Sequence, residues 1–274
     1  MSYPSGELYA GKWKNGLPHG DGTFGAPNGD VYDGNWKDGR KEGLGRFLYS
    51  NGDIYQGRWL QDLPHGEGKF TYGAGPRYDG NWLRGQRSGS GCLDYGSGKQ
   101  YDGEWLHDRP HGHGTLVQSD GSYYEGNFQG GVYEGTGSLF HKDGRKYSGT
   151  WRMGKPNGIG KFSSAIGMVR SYEGEWANGQ LHGKGTATFP NNHKFVGYFR
   201  ENRFHGSGVL EHGSTVIEGK WNMGLPEGRV SVRIGDKEAL LGTVQGNTLI
   251  MADPFAPTLM LPPTNCYLNV DVDL

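Results

Sequence analysis

The sequence predicts an all-β protein, a row of tandem β-hairpins, and three observations predict it. The leading tyrosine of the motif Tyr-x-Gly-x-Trp recurs every 23 residues from Tyr9 to Tyr147, with Phe128 in place of tryptophan in one copy. All 8 tryptophans of the chain stand at the fifth position of a copy, counted from the leading aromatic residue. With 52 glycines and only 33% hydrophobic residues, the chain is too poor in apolar side chains for one large spherical core. An array in which each unit contacts only its neighbours fits these facts.

A single copy is expected to form one hairpin. In Tyr101–Trp105 the first, third and fifth side chains point to the same face of a strand. The segment that follows passes through Gly112 and Gly114 into a return strand at 115–117. Because a lone hairpin is barely stable in water, each copy needs its neighbours.

The copies continue after Tyr147 with less regular spacing. The next three leading residues are Tyr172, Phe195 and Ile217, at steps of 25, 23 and 22 residues. A degenerate eleventh copy begins near Leu240. Both breaks in the spacing fall in turns between copies, where a distinctive contact or a bend is expected.

Glycine rows run through the array, as Gly11, Gly20 and Gly22 do in the first copy. A ring on a neighbouring strand can cover a strand glycine, so ladders of tyrosine and tryptophan over glycine are expected. At position 8, glycine alternates with aspartate or asparagine, as at Asp62, Asp108 and Asn202. These residues best tolerate positive φ after glycine, which predicts a left-handed turn residue there.

We expect three segments: an array of about ten hairpins at 1–228, a degenerate closing hairpin at 229–250, and an apolar, proline-containing tail at 251–274. The prolines of the tail exclude a helix or a central strand. The tail is therefore expected to pack along the array or onto another chain. The residues expected to contact a partner are Phe255, Leu259, Leu261 and Tyr267.

Charge and composition exclude several classes of function. The net charge is −1 with both signs scattered, which argues against nucleic-acid binding. Cys92 and Cys266 are far apart in the chain and suit a reducing compartment better than a disulfide scaffold. No stretch approaches the length of a membrane span, and no apolar signal segment opens the chain. We expect a soluble, intracellular protein.

The histidines are interpreted as parts of the repeat. Five of them share position 11: His19, His65, His111, His182 and His205. Like positions on adjacent copies stand about 10 Å apart, too far to share a zinc ion. The cluster of His107, His111 and His113 has no cysteine or carboxylate at ligand spacing, and Gly20–Gly25 matches G-x-G-x-x-G without the helix that a nucleotide site needs. No catalytic residue, metal site or cofactor is expected.

The full pattern, Tyr-x-Gly-x-Trp-x-x-Gly-x-x-His-Gly-x-Gly, resembles the membrane occupation and recognition nexus (MORN) repeat from about Gly6 to Gly228. The usual histidine is replaced in five copies, by Glu42, Ser88, Glu134, Asn157 and Glu227. The resemblance implies an elongated, twisted single-layer antiparallel sheet with a groove lined by aromatic residues. Two strands per copy at about 4.8 Å each give about 10 Å per copy, or on the order of 100 Å for the array, in agreement.

Proteins of this family are mostly scaffolds at cilia, flagella, the cell cortex or membrane junctions. The resemblance thus implies a non-enzymatic scaffold, with a radial-spoke-type place in the axoneme as first choice. Expected partners are axonemal or cortical cytoskeletal proteins, including a helix bound in the groove. Two alternatives stay open: an adaptor for acidic phospholipid surfaces, for which the sequence offers only isolated pairs such as Arg40-Lys41, and the targeting subunit of an enzyme complex.

A homodimer through the C-terminal copies is a further expectation. The segment Val230–Ile234 is rich in β-branched residues and poor in glycine. Such a strand could pair edge to edge with a second chain.

Overall fold

The computed structural model describes residues 6–245, 248–252 and 259–260, and it forms two compact units, Met1–Val132 and Tyr133–Leu274. Within each unit, every strand pairs antiparallel with the next strand along the chain. The predicted all-β fold of tandem antiparallel hairpins is confirmed. The division after residue 132 has no counterpart in the repeat pattern.

The described residues of unit 1 contain eleven strands. Odd-numbered strands carry Tyr-x-Gly-x-Trp, with Phe128 in place of tryptophan in β11, and even-numbered strands return. They are β1 Leu8–Lys14, β2 Leu17–Gly25, β3 Val31–Lys37, β4 Arg40–Leu48, β5 Ile54–Leu60, β6 Leu63–Thr71, β7 Arg77–Leu83, β8 Gln86–Gly96, β9 Lys99–Leu106, β10 Arg109–Val117 and β11 Tyr123–Gln129.

The strands continue in unit 2, where β12 begins at the last residue of unit 1. They are β12 Val132–Phe140, β13 Lys146–Arg152, β14 Lys155–Ser163, β15 Ser171–Ala177, β16 Gln180–Thr188, β17 Lys194–Arg200, β18 Arg203–His212, β19 Thr215–Asn222, β20 Leu225–Ile234, β21 Leu240–Gln245, β22 Thr248–Met251 and β23 Leu259–Met260. A 3₁₀ turn, Pro190–Asn192, joins β16 to β17.

The leading tyrosines lie over the glycine rows, as predicted. Tyr32 is fully buried, and a Cβ placed on Gly45 would lie 2.3 Å from its hydroxyl oxygen. No side chain larger than hydrogen fits there without displacing the ring. The hydroxyl donates a hydrogen bond to the carbonyl of Asn35 at 2.9 Å. That carbonyl lies at a bulge, where the register of β3 and β4 shifts between Gly34 and Trp36, so the ring also satisfies a backbone group that the ladder leaves unpaired.

Each tryptophan after Trp13 joins two copies. The indole Nε1 of Trp36 donates to the carbonyl of Gly22 in the preceding copy at 3.0 Å. Its ring packs edge-on against Tyr32 of its own copy, with centroids 5.2 Å apart, and against Tyr9 of the preceding copy, at 5.4 Å. Edge-to-face aromatic pairs contribute about 0.5–1.5 kcal/mol each beyond the burial of their area. Trp13 has no preceding copy among the described residues, and it is 39% exposed.

The turn residue at position 8 has positive φ in each of the ten copies led by Tyr9 to Ile217, as predicted. φ is 80° at Gly39, 70° at Asp62 and 62° at Asn202. Its N–H donates to the carbonyl at position 10 of the preceding copy, as from Gly39 to Pro18 at 2.9 Å. This bond recurs between successive copies and fixes the spacing of one hairpin against the next.

The aspartate and asparagine turn residues have a second role that the sequence did not predict. Their Oδ1 atoms accept the N–H of position 10 of the preceding copy: Asp62 from Lys41 at 2.9 Å, Asp108 from Arg87 at 3.0 Å, and Asn202 from Leu181 at 2.7 Å. Where position 8 is glycine, the partner is usually proline, which has no N–H. Those pairs are Pro18 with Gly39, Pro64 with Gly85, Pro110 with Gly131, and Pro156 with Gly179. Tyr133 with Gly154 and Phe204 with Gly224 depart from the rule.

The C-terminal strands correct one expectation. Val230–Ile234 was expected to offer a free edge for a second chain, but β20 pairs with β19 on one side and with β21 on the other. Val230–Val232 are paired on both sides, so this part of the strand has no free edge for edge-to-edge dimerisation, whereas Arg233 and Ile234 pair with β19 alone. The predicted boundary at 228 falls inside β20, and the predicted closing hairpin corresponds to its second half with β21 and part of β22.

Candidate functional site

The face opposite the tyrosine ladder of unit 1 carries a recess of about 960 Å³, called here the polar groove. Its floor is backbone, because the glycines that carry the tyrosine rings on one side expose their Cα atoms on the other. The lining residues are Asp21, Asp33, Gly34, Leu44, Gly45, Arg46, Gln56, Gly57, Glu67, Gly68, Lys69, Asp79, Gly80 and Asn81. The expected groove lined by aromatic side chains is corrected: the ladder rings of unit 1 are buried, and glycine and charged residues line this recess.

The alternation of each strand explains this arrangement. Positions 1 and 5 of a copy carry the buried tyrosine and tryptophan, so positions 2 and 4 face the other way. On the return strand, positions 13 and 15 flank the second glycine in the same manner. In the second copy these groove-facing positions are Asp33, Asn35, Leu44 and Arg46.

Ion pairs occupy part of the polar groove. Lys12 Nζ lies 2.9 Å from Asp21 Oδ2, and Asn35 donates to the other oxygen of this carboxylate at 2.6 Å. The hydrogen bond from Lys12 is the main reason that the pKa of Asp21 is lowered. Farther along, Lys69 Nζ lies 2.8 Å from Asp79 Oδ2, and this bond raises the pKa of Lys69. Both pairs are exposed, where ion pairs contribute little to stability.

Position 4 also supports the hairpin itself. Asn35 Oδ1 accepts the N–H of Leu44 at 3.2 Å, and Glu104 Oε1 accepts the N–H of His113 at 2.9 Å. In unit 2, Glu175 Oε1 accepts the N–H of Lys184 at 2.9 Å. These side chains satisfy backbone amides beside the bulge, so substituting them would affect the fold as well as the groove.

Two cations at position 10 lie against aromatic rings of unit 1. Lys41 Nζ lies 4.6 Å from the ring centroid of Phe47, 5.2 Å from Trp59 and 5.6 Å from Tyr32. Burial is the main cause that lowers the pKa of Lys41. The guanidinium carbon of Arg87 lies 4.5 Å from the ring centroid of Trp105. Both residues stand at position 10, which proline fills in the other copies of this unit, and both are stabilised by cation–π contact.

Unit 2 has two recesses, of about 790 and 670 Å³. The larger is lined by Ser207, Gly208, Val209, Glu218, Gly219, Lys220, Glu227, Gly228 and Arg229. The smaller contains Tyr198, which is 41% exposed, and Lys184 Nζ lies 5.5 Å from the centroid of that ring. Tyr198, Val196 and Ile159 are exposed apolar residues at groove-facing positions that carry polar residues in most other copies.

The histidines take part in turns. His19 Nδ1 accepts the N–H of Asp38 at 3.4 Å, nineteen residues later in the next copy. Glu42 does the same for Gln61 at 3.2 Å, and Glu134 for Met153 at 2.9 Å. The substitution of glutamate for histidine at position 11 therefore preserves a hydrogen-bond acceptor. The bond of His19 does not recur at every copy, because the buried Nδ1 atoms of His65 and His205 at the same position have no hydrogen-bond partner among the described residues.

Metal ligation has no support in the part of the chain that the structure describes. No group of three or more His, Cys, Asp or Glu side chains in these residues could hold a metal ion. In the cluster singled out from the sequence, His107 Nδ1 lies 2.9 Å from Gln86 Oε1. In these same ranges, no helix combines the length and the apolarity needed to cross a membrane.

The residues predicted to contact a partner fall mostly outside the described ranges. Phe255, Leu261 and Tyr267 lie there, and Leu259 is described only as a backbone member of β23, paired with Leu249 of β22. Their role stays a prediction. The groove-facing carboxylates were missed, although listing position 2 of each copy would have shown Asp33, Asp79, Asp102 and Glu125 in one row.

Comparison with solved structures gives only weak likenesses. The TCP domain of Drosophila melanogaster SAS-4 (dCPAP), in complex with a proline-rich motif of Ana2 (dSTIL), is 15% identical, with a TM-score of 0.36, and covers 60% of this chain and 88% of that chain. The TCP10 domain of Danio rerio CPAP is 14% identical, with a TM-score of 0.27, and covers 80% and 96%. These scores carry no argument about function. No curated protein matches the sequence.

Comparison with protein families is decisive. The MORN repeat model matches nine segments: 9–31, 32–54, 55–77, 78–100, 101–123, 124–144, 147–169, 172–194 and 195–214. The matches cover well over half of the chain and start at the leading aromatic of each copy, including Phe195. The copy led by Ile217 and the degenerate copy near Leu240 lie beyond the last matched segment. The chain therefore belongs to the MORN repeat family.

Proposed function

We propose that this protein is a non-enzymatic scaffold that binds other proteins, as a structural component of a cilium or flagellum axoneme or of a related cytoskeletal assembly. The membership of the family supports a repeat protein that acts by interaction. The axonemal location is proposed by analogy with the role of related repeat proteins.

One observation supports an interaction surface: in unit 1, one face of the hairpins holds the copies together and the other face is open to solvent. The aromatic face is closed by buried rings such as Tyr32, Tyr55 and Tyr78, and it holds the copies together. The other face is a recess with a backbone floor and exposed charged walls. Because the aromatic face already stabilises the hairpins, the side chains of the opposite face can differ from copy to copy to suit a partner.

The test is to tag the protein at its own locus in a ciliated or flagellated cell. We expect the tag to follow the axoneme or another cytoskeletal structure, and axonemal proteins to co-purify at physiological salt. A uniform cytosolic distribution with no stable partner would overturn the proposal.

The membrane alternative is decided by a separate measurement. Co-sedimentation of the purified chain with vesicles containing acidic phospholipid would support a surface adaptor. The carboxylates of the polar groove make this outcome unexpected for unit 1. Recovery with vesicles but not with axonemal proteins would replace the scaffold proposal by the adaptor.

A further inference from the structure

We propose that the polar groove of unit 1 binds a basic polypeptide segment, with lysine or arginine side chains about 10 Å apart, through a row of carboxylates at position 2 of successive copies. The inference rests on the proposed scaffold function and names the chemistry of the partner.

The row begins in the groove and continues along unit 1. Its members from the second copy onward are Asp33, Gln56, Asp79, Asp102 and Glu125. All five are exposed, and Asp33, Gln56 and Asp79 line the recess directly. Successive members are two strands apart, which places them about 10 Å from one another. The last two continue this spacing on β9 and β11.

Negative charge dominates the second half of this surface. From β6 to β11, the groove-facing positions 2, 4, 13 and 15 carry five carboxylates: Glu67, Asp79, Asp102, Glu104 and Glu125. The only cation at those positions is Lys69, which is bound to Asp79. Clustered like charges raise the local negative potential and attract a cationic partner.

Three of these carboxylates have no partner within the chain. Among the residues that the structure describes, Glu67, Asp102 and Glu125 form no hydrogen bond or ion pair with their side chains. Asp79 and Glu104 are occupied by Lys69 and by the N–H of His113. A partner with positive side chains would relieve repulsion that the fold leaves in place, whereas nucleic acid or an acidic lipid surface would add to it.

An α-helix fits the spacing of the row. Seven residues of helix rise about 10.5 Å, close to the separation of about 10 Å between like positions. A helix with a basic residue at every seventh position would therefore meet one carboxylate in each of three successive copies, at Asp79, Asp102 and Glu125. The glycine floor, as at Gly57, Gly68 and Gly80, lets such a segment approach the backbone closely.

The experiment uses the full chain and fluorescent alanine-rich helical peptides about three heptads long. One peptide carries lysine at every seventh position, a second has the same composition with irregular spacing, and a third carries glutamate instead. The variant is Asp33→Asn/Asp102→Asn/Glu125→Gln, which removes three carboxylates of the row, one of them lining the recess itself. The matched control is Glu201→Gln/Asp236→Asn/Glu238→Gln, which removes three exposed charges from turns of unit 2.

We expect the heptad lysine peptide to bind, with a Kd that rises steeply with salt. The groove variant should weaken binding about tenfold, or about two- to threefold for each carboxylate, while the control leaves Kd unchanged. The irregular lysine peptide should bind more weakly and the glutamate peptide not at all. Absence of binding by the original chain, or equal Kd for the groove variant and the control, would overturn the proposal.

The same variant separates this inference from the scaffold proposal. If the groove variant still recovers the cellular partners at the original yield, the scaffold stands and the basic-segment proposal fails. If the original chain binds the lysine peptide in the groove but recovers no protein from cells, the groove chemistry stands and the scaffold proposal fails.

Discussion

The two units use one hairpin design, and they differ most clearly at position 10, beside the tryptophan. In unit 1 this position holds Pro18, Lys41, Pro64, Arg87 and Pro110. In unit 2 it holds Tyr133, Pro156, Leu181, Phe204 and Pro226. The cations of unit 1 lie against aromatic faces and remain partly exposed. Phe204 of unit 2 is fully buried and stacks on Phe195, with centroids 3.8 Å apart. Position 10 is therefore a partly solvent-exposed cation–π site in unit 1 and part of the buried core, at Phe204, in unit 2.

The opposite face differs in one copy of unit 2. Both units carry carboxylates at position 2, among them Asp79 and Glu173, but the copy led by Phe195 has exposed Val196 there and exposed Tyr198 at position 4. The difference teaches that the aromatic ladder and the glycine rows define the fold, while the remaining positions can change character from copy to copy. Four substitutions test this separation.

The largest effect is expected from moving the charge of unit 1 into unit 2. Phe204→Lys would place an ammonium in a fully buried site beside Phe195 and Trp221. The loss in the free energy of unfolding should be about 4 kcal/mol, because a buried charge without a partner is not compensated. The reverse change, Lys41→Phe, should alter it by less than about 1.5 kcal/mol, since it replaces a partly desolvated cation by a ring among rings.

Urea unfolding followed by tryptophan fluorescence measures both changes, with Phe204→Met as the control for lost volume. If Phe204→Lys and Phe204→Met cost the same, the site in unit 2 is not dry and the contrast between the units fails.

The next effect concerns the glycine beneath a tyrosine. A Cβ on Gly68 would lie 2.3 Å from the hydroxyl oxygen of Tyr55, and that hydroxyl is held by the carbonyl of Arg58 at 2.9 Å. Gly68→Val should therefore cost about 3 kcal/mol by overpacking. The tenth copy has a smaller side chain in place of the tyrosine and a valine in place of this glycine, namely Ile217 and Val230.

The double variant Tyr55→Ile/Gly68→Val should recover part of the loss, because the smaller side chain leaves room for the valine. Gly25→Val is the matched control, since nothing lies within 4 Å of a Cβ there and its φ is not positive. Equal destabilisation by the two glycine substitutions would show that the ring does not fix the requirement for glycine.

A smaller effect is expected where one copy caps the next. Asp108→Gly removes the acceptor of the Arg87 N–H, at 3.0 Å, and of its Nε, at 3.1 Å. The cost should be about 1–2 kcal/mol. Adding Arg87→Pro should cancel part of it, because proline has no N–H to leave unpaired and the Pro–Gly pair is the one that neighbouring copies use.

The matched pair in unit 2 is Leu181 with Asn202, which are joined at 2.7 Å. A double-mutant cycle on each pair should give a coupling energy of about 1 kcal/mol. Additive costs in both units would mean that the turn residue is chosen for its backbone conformation alone.

The capping pairs show how far the sequence reaches. Period-two alternation and a 23-residue register suffice to place Tyr32 over Gly34 and Gly45, since a ring needs a neighbour without a side chain. Positive φ at Asp62 follows from its alternation with glycine. The partner of Asp62, at Lys41, lies twenty-one residues earlier on another hairpin. Only an alignment of all copies shows that Lys41 stands where the neighbouring copies have proline.

Other features leave no trace in the pattern. Position 10 of unit 2 holds residues as different as Pro156, Leu181 and Phe204, and the repeat pattern does not show that Phe204 stacks on Phe195. The polar groove has a volume of about 960 Å³, and the alternation of the strands alone does not predict that recess. The sequence predicted an aromatic-lined groove because it located the rings without showing that adjacent copies bury them.

The smallest effect is a pH dependence confined to unit 2. His212 and His193 face each other with ring centroids 3.7 Å apart, at a turn from which one residue of the repeat is missing. Burial, and then the neighbouring His193, lower the pKa of His212 below its ordinary value of 6.5. The unfolded chain therefore binds a proton at His212 more readily than the folded protein does. The contribution of His212 to the free energy of unfolding is complete above pH 6.5 and is lost as the pH falls below that value. His212→Asn should flatten the dependence of stability on pH between about pH 7 and pH 5 and leave stability at pH 8 nearly unchanged.

Thermal unfolding across that range measures this change, with His19→Asn in unit 1 as the control, because that histidine has no stacked imidazole among the described residues. An equal flattening by the two substitutions would show that the histidine pair contributes nothing of its own.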